Sequence, residues 1–195
     1  MKPSWADRAS GQEGEPARVS QEDLIKFMNL ALAEADLAEE AGDVPVGAVL
    51  VCKGRVIARA HNKREKETDT TAHAEILAIR SACHKLGRWI LDDCQLFVSL
   101  EPCLMCLGAI VQARIKEVYY GAYDPKTGAC GSLPDLAQVK DSSINHHTSF
   151  QGGILAEEAG QKLKAFFRKR RSAKVRKGKS SEENPAASAG RKEEQ

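Results

Sequence analysis

Residues 73–75 read His-Ala-Glu, and residues 102–106 read Pro-Cys-Leu-Met-Cys. Each piece stands at the start of a predicted helix, and an apolar segment typical of a strand lies upstream of each helix. Alone, a Cys-x-x-Cys pair is equally typical of a redox pair or of half a structural zinc site, and His-x-Glu alone is common by chance. Together, at two helix starts, they predict a metal centre that performs chemistry.

The two cysteines have the spacing of metal ligands. Cys103 and Cys106 are three residues apart at a helix start, so both sulfur atoms should project from one face. The partial positive charge of a helix N-terminus favours thiolates there. With His73 they form a set of three ligands of the types that zinc prefers, which leaves a fourth position for water, as in catalytic sites.

A structural zinc site is the alternative, and it needs a fourth protein ligand. The candidates are Cys83, His84, Cys94 and Cys130, although none of them stands at a paired ligand spacing.

Glu75 is the predicted catalytic residue. On a regular helix it lies about 200° around from His73, so the two side chains do not share a face and Glu75 is a poor second ligand. It is better suited to take a proton from the metal's water and to pass it to the substrate. The alternative is an ordinary glutamate on a helix surface.

Composition limits the class of protein. The chain has 195 residues, of which 42% are hydrophobic, and this suits one domain with tails. The first twenty residues are charged and lack the apolar centre of a secretory signal, and no apolar run is long enough to span a bilayer. We therefore expect a cytoplasmic protein with no membrane association. In that compartment six cysteines favour metal or redox roles over disulfides.

Hydrophobic periodicity predicts helices alternating with strands, which gives an α/β fold with helices covering a mixed sheet. Strands 96–99 and 115–120, joined by a helix, should be parallel. Residues 61–71 are predicted to form polar turns. The chain is predicted to divide into a disordered leader at 1–19, a zinc-dependent catalytic domain at 20–172 and a disordered basic tail at 173–195. The expected elements are a helix between residues 20 and 42, a hairpin of strands 46–52 and 56–60, helices 73–86, 103–114 and 155–171, and a short strand 147–151.

The charge is unevenly placed. The net charge is only +2, yet residues 162–179 contain ten Lys or Arg and no acid. A basic block on an otherwise balanced protein favours a polyanionic partner, and the alternative is a solvated helix end.

Further stretches surround the two motifs: Asp-Val-Pro-Val-Gly-Ala-Val at 43–49, Leu-Glu-Pro-Cys at 100–103, Lys-Thr-Gly-Ala at 126–129 and Phe-Phe-Arg at 166–168. With the motifs, they resemble the bacterial tRNA-specific adenosine deaminases over about residues 20–172. The His-x-Glu and Pro-Cys-x-x-Cys pieces are shared by all cytidine-deaminase-like enzymes. The Lys-Thr-Gly-Ala and Phe-Phe-Arg stretches narrow the resemblance to the tRNA enzymes.

The resemblance implies a three-layer α/β/α cytidine-deaminase-like fold with a central five-stranded mixed sheet. It implies one zinc ion per subunit, no organic cofactor, and a homodimer whose two active sites take the tRNA anticodon loop across the subunit boundary. The implied reaction is hydrolytic deamination of adenosine to inosine at the wobble position, the first of the anticodon.

The resemblance also implies which residues contact the substrate, in the nucleoside pocket, a nearby loop and the terminal helix. They are Asn62, which matches the asparagine that contacts the flipped nucleoside; Val44 and Ala74, which match pocket positions; Asp124, Lys126 and Asn145, which match loop positions near the neighbouring nucleotides; and Phe167 with the arginines beside it, beginning with Arg168, which match the helix that meets the anticodon loop.

Simpler roles remain open for several of these residues. Asn62 is also typical of a turn. Because Phe166 and Phe167 are adjacent, we expect at least one of them to pack into the core.

Two other functions remain alternatives. A deaminase of a free base or nucleoside, such as cytosine or guanine, would share the zinc site but would need no surface for a polyanion. A non-catalytic, zinc-stabilised nucleic-acid-binding module would need the metal but not Glu75.

Overall fold

The computed structural model describes residues 19–132 and 148–182, with side chains described as far as residue 173. Its elements alternate in the predicted order, with one additional short helix. They are α1 (Gln21–Glu40), β1 (Gly47–Cys52), β2 (Arg55–His61), α2 (Arg64–Glu67), α3 (Ala74–Leu86), β3 (Cys94–Leu100), α4 (Leu104–Gln112), β4 (Glu117–Ala122), β5 (Ser149–Gln151) and α5 (Ala156–Glu182).

The five strands form one mixed sheet in the order β2-β1-β3-β4-β5. β1 is antiparallel to both β2 and β3, while β3–β4 and β4–β5 are parallel pairs. The predicted parallel pairing of the strands on either side of α4 is therefore confirmed, as is the five-stranded mixed sheet.

Helices cover both faces of this sheet, as each strand's alternating side chains require. One face, which includes Leu50 and Leu96, packs against α3 and α4. The other face, which includes Val49 and Phe97, packs against α1, and α5 joins that layer at the β4 end through Ala159. The predicted three-layer α/β/α fold is confirmed.

The ends of α1 and α3 follow local chemistry. The Ser20 hydroxyl accepts a hydrogen bond from the Asp23 N–H at 3.1 Å, which caps α1 at its N-terminus. The chain leaves α1 through Gly42 at φ +81° and leaves α3 through Gly87 at φ +65°, a region that favours glycine. These two residues stop the helices where the sequence predicts.

A short helix replaces part of the segment that we predicted as turns. Residues 64–67 form α2, because the fully buried carboxylate of Asp43 accepts the Glu65 N–H at 2.8 Å. Thr68, at φ +50°, ends the helix. Asp43 lies 22 residues before Glu65 in the chain, so the sequence of residues 61–71 alone does not predict this helix.

Several predicted boundaries also move, among them the start of β4 and the end of α5. β4 begins at Glu117 instead of residue 115, since Arg114 is left-handed at φ +58° and the Ile115 N–H bonds back to the Ile110 carbonyl at 3.2 Å. α5 continues to Glu182, beyond the predicted end at Arg171, so the predicted start of the tail at residue 173 lies inside the helix. Lysine, arginine and alanine in this stretch are good helix formers. No helix in the described part of the chain is long and apolar enough to cross a bilayer.

Candidate active site

Two helix starts converge to build the site. His73 is the N-cap of α3, with extended backbone angles of φ −78° and ψ 148°, and Cys103 is the N-cap of α4, also extended. Glu75 and Cys106 lie in the first turns of α3 and α4. Because His73 precedes the helix, the angle of about 200° that we expected between His73 and Glu75 does not apply. Both side chains reach the same cavity.

The three predicted ligands lie at the separation that a tetrahedral zinc ion requires. The Nδ1 atom of His73 is 3.7 Å from the Cys103 sulfur and 3.5 Å from the Cys106 sulfur. Zn–N and Zn–S bonds of about 2.0 and 2.3 Å at tetrahedral angles place nitrogen and sulfur about 3.5 Å apart. The cluster is therefore compatible with a metal ion.

No fourth protein ligand joins this cluster within the residues that the structure describes. Cys94 instead lies beside Cys52 and Asp93, at the far end of the sheet. The Cys130 sulfur faces the Pro102 carbonyl at 3.8 Å. The alternative of a structural zinc site with four protein ligands therefore has no support in the described part of the chain.

The thiols have unequal affinity for protons. Hydrogen bonds with Cys106 and His73 lower the pKa of Cys103 to about 4, while the hydrogen bond to Cys103 and burial raise the pKa of Cys106. A thiolate is the form of cysteine that binds a metal ion, so the lowered pKa of Cys103 suits it to that role.

Glu75 is a buried acid with one carboxylate oxygen that has no partner among the described residues. It is only 3% exposed, and its Oε2 atom has no hydrogen-bond partner in the described part of the protein. Burial raises the pKa of its carboxyl to about 6. An unpartnered buried oxygen costs free energy, which a ligand or water in the cavity offsets. The surface-residue alternative for Glu75 is therefore wrong.

The cavity beside these groups has a volume of about 630 Å³. Most of the predicted substrate residues meet there, although the sequence scatters them over more than 120 positions. Its walls include, of the predicted residues, Val44, Asn62, His73, Glu75, Cys103, Asp124, Lys126 and Phe167.

Three predicted contacts are not among the residues that line the cavity. Ala74, the first residue of α3, is fully buried and packs in the core between that helix and the sheet. Arg168 points to a separate shallow surface hollow that it shares with Lys169. Asn145 lies outside the described residues.

The terminal helix divides its two phenylalanines as expected. Phe166 is 5% exposed and packs inward, whereas Phe167 is 42% exposed and lines the cavity. Ion pairs attach the helix to the body of the domain: Lys162 pairs with Asp36, and Lys169 pairs with Glu39 at 2.6 Å.

Several wall residues were not predicted from the sequence. They are Arg64, Tyr123 and Lys164, and with them the buried Glu101, whereas Arg171 is one of the arginines near Phe167 that were expected to contact RNA. Arg171 and Lys164 belong to the basic block that favoured a polyanionic partner. Arg64 and Tyr123 lie in segments without periodicity. Glu101 belongs to the Leu-Glu-Pro-Cys stretch at 100–103, but nothing in the neighbouring sequence indicates a role for it.

The fold and the site together define a class: deaminases of the cytidine-deaminase-like fold. Comparisons with known proteins narrow that class. The family of MafB19-like deaminases matches residues 22–171. A tRNA-specific adenosine deaminase of Bacillus subtilis is 49% identical over 156 residues, which cover 80% of this chain and 94% of the relative. The corresponding enzyme of Agrobacterium fabrum is 47% identical and covers 74% of this chain.

Solved structures point the same way. A structure from a study of A-to-I editing by tRNA:A34 deaminases at the wobble position superposes with a TM-score of 0.67 and 46% identity, covering 71% of this chain and 99% of that one. A guanine deaminase of Bacillus subtilis is also 46% identical, but with a TM-score of 0.50 and over only 54% of this chain. The chain belongs to the family of tRNA-specific adenosine deaminases, as the sequence motifs predict.

Proposed function

We propose that this protein hydrolyses adenosine to inosine at the wobble position of tRNA, at a single zinc ion. The observation that supports the proposal most is the convergence on one cavity of His73, Cys103 and Glu75, whose Oε2 atom is unpartnered within the described part of the chain, in a chain of this family.

His73, Cys103 and Cys106 would hold the zinc ion through one imidazole nitrogen and two sulfurs. Zn²⁺ bound there supplies a water whose pKa is lowered to about 7, so that hydroxide is available at neutral pH. The described residues provide no fourth ligand to this cluster, which would leave one position for water.

Glu75 moves the protons. Its Oε2 takes one proton from the attacking water and delivers it to the ring nitrogen beside the amine-bearing carbon. As the tetrahedral carbon collapses, Glu75 passes the proton of the newly added hydroxyl group to the amine, the C–N bond breaks, the carbonyl forms and ammonia leaves. The net reaction consumes one water and returns Glu75 to its starting state.

Asn62 orients the nucleoside. Its side-chain oxygen already accepts the Ala74 N–H at 2.9 Å, so its NH₂ group is the part available to the cavity. That group donates to an acceptor on the base or ribose. Val44 adds an apolar wall beside it.

The rim of the cavity suits RNA better than a free base. Arg64, Lys126, Lys164 and Arg171 all line it, and the exposed ring of Phe167 lies among them. Cations bind phosphates, and an exposed aromatic ring offers a surface on which a base stacks. A free guanine or cytosine has no phosphate to use these groups, whereas an anticodon loop presents phosphates beside a base that is already unpaired.

A homodimer and a cytoplasmic location are parts of the same proposal. Leu104 is 61% exposed at the start of α4, and Met105 beside it is also exposed. Such apolar side chains, next to a metal ligand, suit burial against a second subunit. A tRNA substrate is available in the cytoplasm.

The test is a comparison of substrates. Purified protein is incubated separately with a tRNA that carries adenosine at the wobble position and with free adenosine, cytosine and guanine, and products are identified by mass spectrometry. We expect inosine in the tRNA and no turnover of the free compounds. Deamination of guanine with the tRNA unchanged would keep the reaction type and overturn the substrate.

A further inference from the structure

Glu101 is a buried carboxylate with an unusual number of partners. It is 2% exposed. Its Oε1 accepts the backbone N–H groups of Cys130 at 2.9 Å and Ser132 at 3.0 Å, and its Oε2 accepts the backbone N–H of Asp124 at 2.9 Å and the Ser132 hydroxyl. A carboxylate has about four lone-pair sites, so these bonds use its full acceptor capacity. None of the donors carries a formal charge.

All four donors belong to residues 123–132, which we call the Asp124 loop. A second carboxylate continues the same network inside the loop: Asp124 accepts the N–H of Lys126 at 2.9 Å and the hydroxyl of Thr127 at 2.5 Å. Asp124 and Lys126 line the cavity. Glu101 therefore holds both ends of a loop whose middle faces the substrate.

The Asp124 loop also pairs through its backbone with the segment that contains Pro102 and Cys103. The Ala129 N–H bonds to the Pro102 carbonyl at 2.9 Å, and Gly128 forms an isolated antiparallel bridge with Cys103. A Cβ atom on Gly128 would press into the Glu101 carboxyl group, which shows how closely the loop backbone approaches that group. These two contacts fix the backbone of the loop relative to Cys103, so a shift of the loop would disturb them.

We propose that Glu101 is a positioning residue for RNA binding. It fixes the Asp124 loop against the segment that bears Cys103, so that the groups of the loop meet the nucleotides beside the reacting base. Glu101 does so without contacting substrate, because its acceptor sites are filled by the loop. The role of the loop in RNA binding rests on the proposed function, whereas the role of Glu101 in ordering the loop does not.

The direct test replaces the carboxylate by an amide of equal size. In Glu101→Gln, one side-chain oxygen becomes an NH₂ group that faces backbone N–H donors, so part of the network is lost. Glu117→Gln is the matched control, because Glu117 bonds to Gln95 at 2.7 Å at the opposite end of β4. For each variant we would measure amide hydrogen exchange of residues 123–132, zinc content, and KM and kcat with an anticodon stem-loop RNA.

We expect Glu101→Gln to speed exchange in the Asp124 loop at least tenfold and to raise KM at least tenfold. Zinc content should be unchanged, kcat should stay within about threefold, and Glu117→Gln should behave as wild type. Unchanged exchange in the loop, or loss of zinc with KM unaltered, would overturn the proposal. If wild-type protein does not act on the RNA at all, the proposed function fails, and the exchange measurement still decides the role of Glu101.

Two further variants separate positioning from general damage. Ser132→Ala removes a single donor to Glu101 and should give a smaller change in the same direction, even if Glu101→Gln does not fold. In an Asp124→Ala, Lys126→Ala background, the loop has lost its substrate groups, so Glu101→Gln should raise KM less than twofold further. Fully additive effects on KM would mean that Glu101 acts elsewhere, and would contradict the proposal.

Discussion

The side-chain oxygen of Asn62 accepts a hydrogen bond from the backbone N–H of Ala74 at 2.9 Å, in a buried position just after β2. The bond ties the residue proposed to hold the nucleoside to the first turn of the helix that carries Glu75. The proposed substrate contact and the proposed catalytic residue are thus fixed relative to each other by one short connection.

This bond gives a pair of variants with different expected results. Asn62→Asp keeps the acceptor for Ala74 but removes the NH₂ donor, so stability should change little while KM rises at least tenfold. Asn62→Ala removes both functions and leaves a buried N–H without a partner, at a cost of about 1–3 kcal/mol in the free energy of unfolding. Thermal unfolding and steady-state kinetics on the two proteins check this. An Asn62→Asp protein with wild-type KM would show that the amide does not bind substrate.

Replacing Glu75 by glutamine should stop proton transfer without emptying the metal site. We expect turnover to fall by about 10²–10⁴-fold, with one zinc ion per chain retained, because the carboxylate is outside the ligand cluster. Single-turnover assays and metal analysis check both parts, with Glu117→Gln as the control. Wild-type turnover in the variant would favour the non-catalytic nucleic-acid-binding alternative.

Removal of zinc should abolish the reaction. A strong chelator takes away the ion that His73, Cys103 and Cys106 are proposed to hold, and adding zinc back should restore activity. Cys106→Ser, which replaces a fully buried ligand sulfur, should bind zinc at least tenfold more weakly. Activity that persists in protein shown to be metal-free would contradict the proposed chemistry. Circular dichroism of the same sample shows whether the metal also supports the fold.

The two adjacent phenylalanines of α5 should respond in opposite ways. Phe166→Ala removes a buried ring and should destabilise the protein by about 3–5 kcal/mol. Phe167→Ala removes a ring that is 42% exposed at the cavity, so unfolding should change little while RNA binding weakens by about 1–3 kcal/mol, as expected for a lost stacking contact. Equal RNA affinity of Phe167→Ala and wild type would show that no base stacks there.

Residues 175–195 should contribute to the affinity for RNA and not to the chemical step. A variant that lacks residues 175–195 loses Arg176, Lys177 and Lys179, which lie beyond every residue of the cavity wall. We expect an unchanged kcat, a higher KM, and a shallower dependence of log KM on log salt concentration, because fewer phosphates are neutralised. A large loss of kcat would show that the catalytic domain extends further than proposed.

The sequence predicts well wherever the signal is local. Ser20, Gly42 and Gly87 mark helix ends by chemistry that operates within a few residues, and the alternation of apolar segments is sufficient to give the order of helices and strands. The clustering of His73, Cys103 and Cys106 could also be predicted, because a metal ion restricts which residue types and spacings are useful.

Long-range partners could not be predicted. The helix α2 depends on Asp43, and the Asp124 loop depends on Glu101, which is 23 residues away from Asp124. Nothing in the sequence near either segment indicates such a buried acceptor. The same reason explains why the contribution of Arg64 to the cavity wall could not be predicted: it follows from the position of α2 and not from any motif.

The central claim is that the enzyme deaminates adenosine at one position of an anticodon loop. Two stem-loop RNAs that differ only in carrying adenosine at the first or at the second anticodon position test it most directly, each incubated with zinc-loaded wild type and with Glu75→Gln. The account predicts inosine only in the first RNA and only with the wild-type protein. Equal deamination of both RNAs, or of neither while free guanine is consumed, would contradict it.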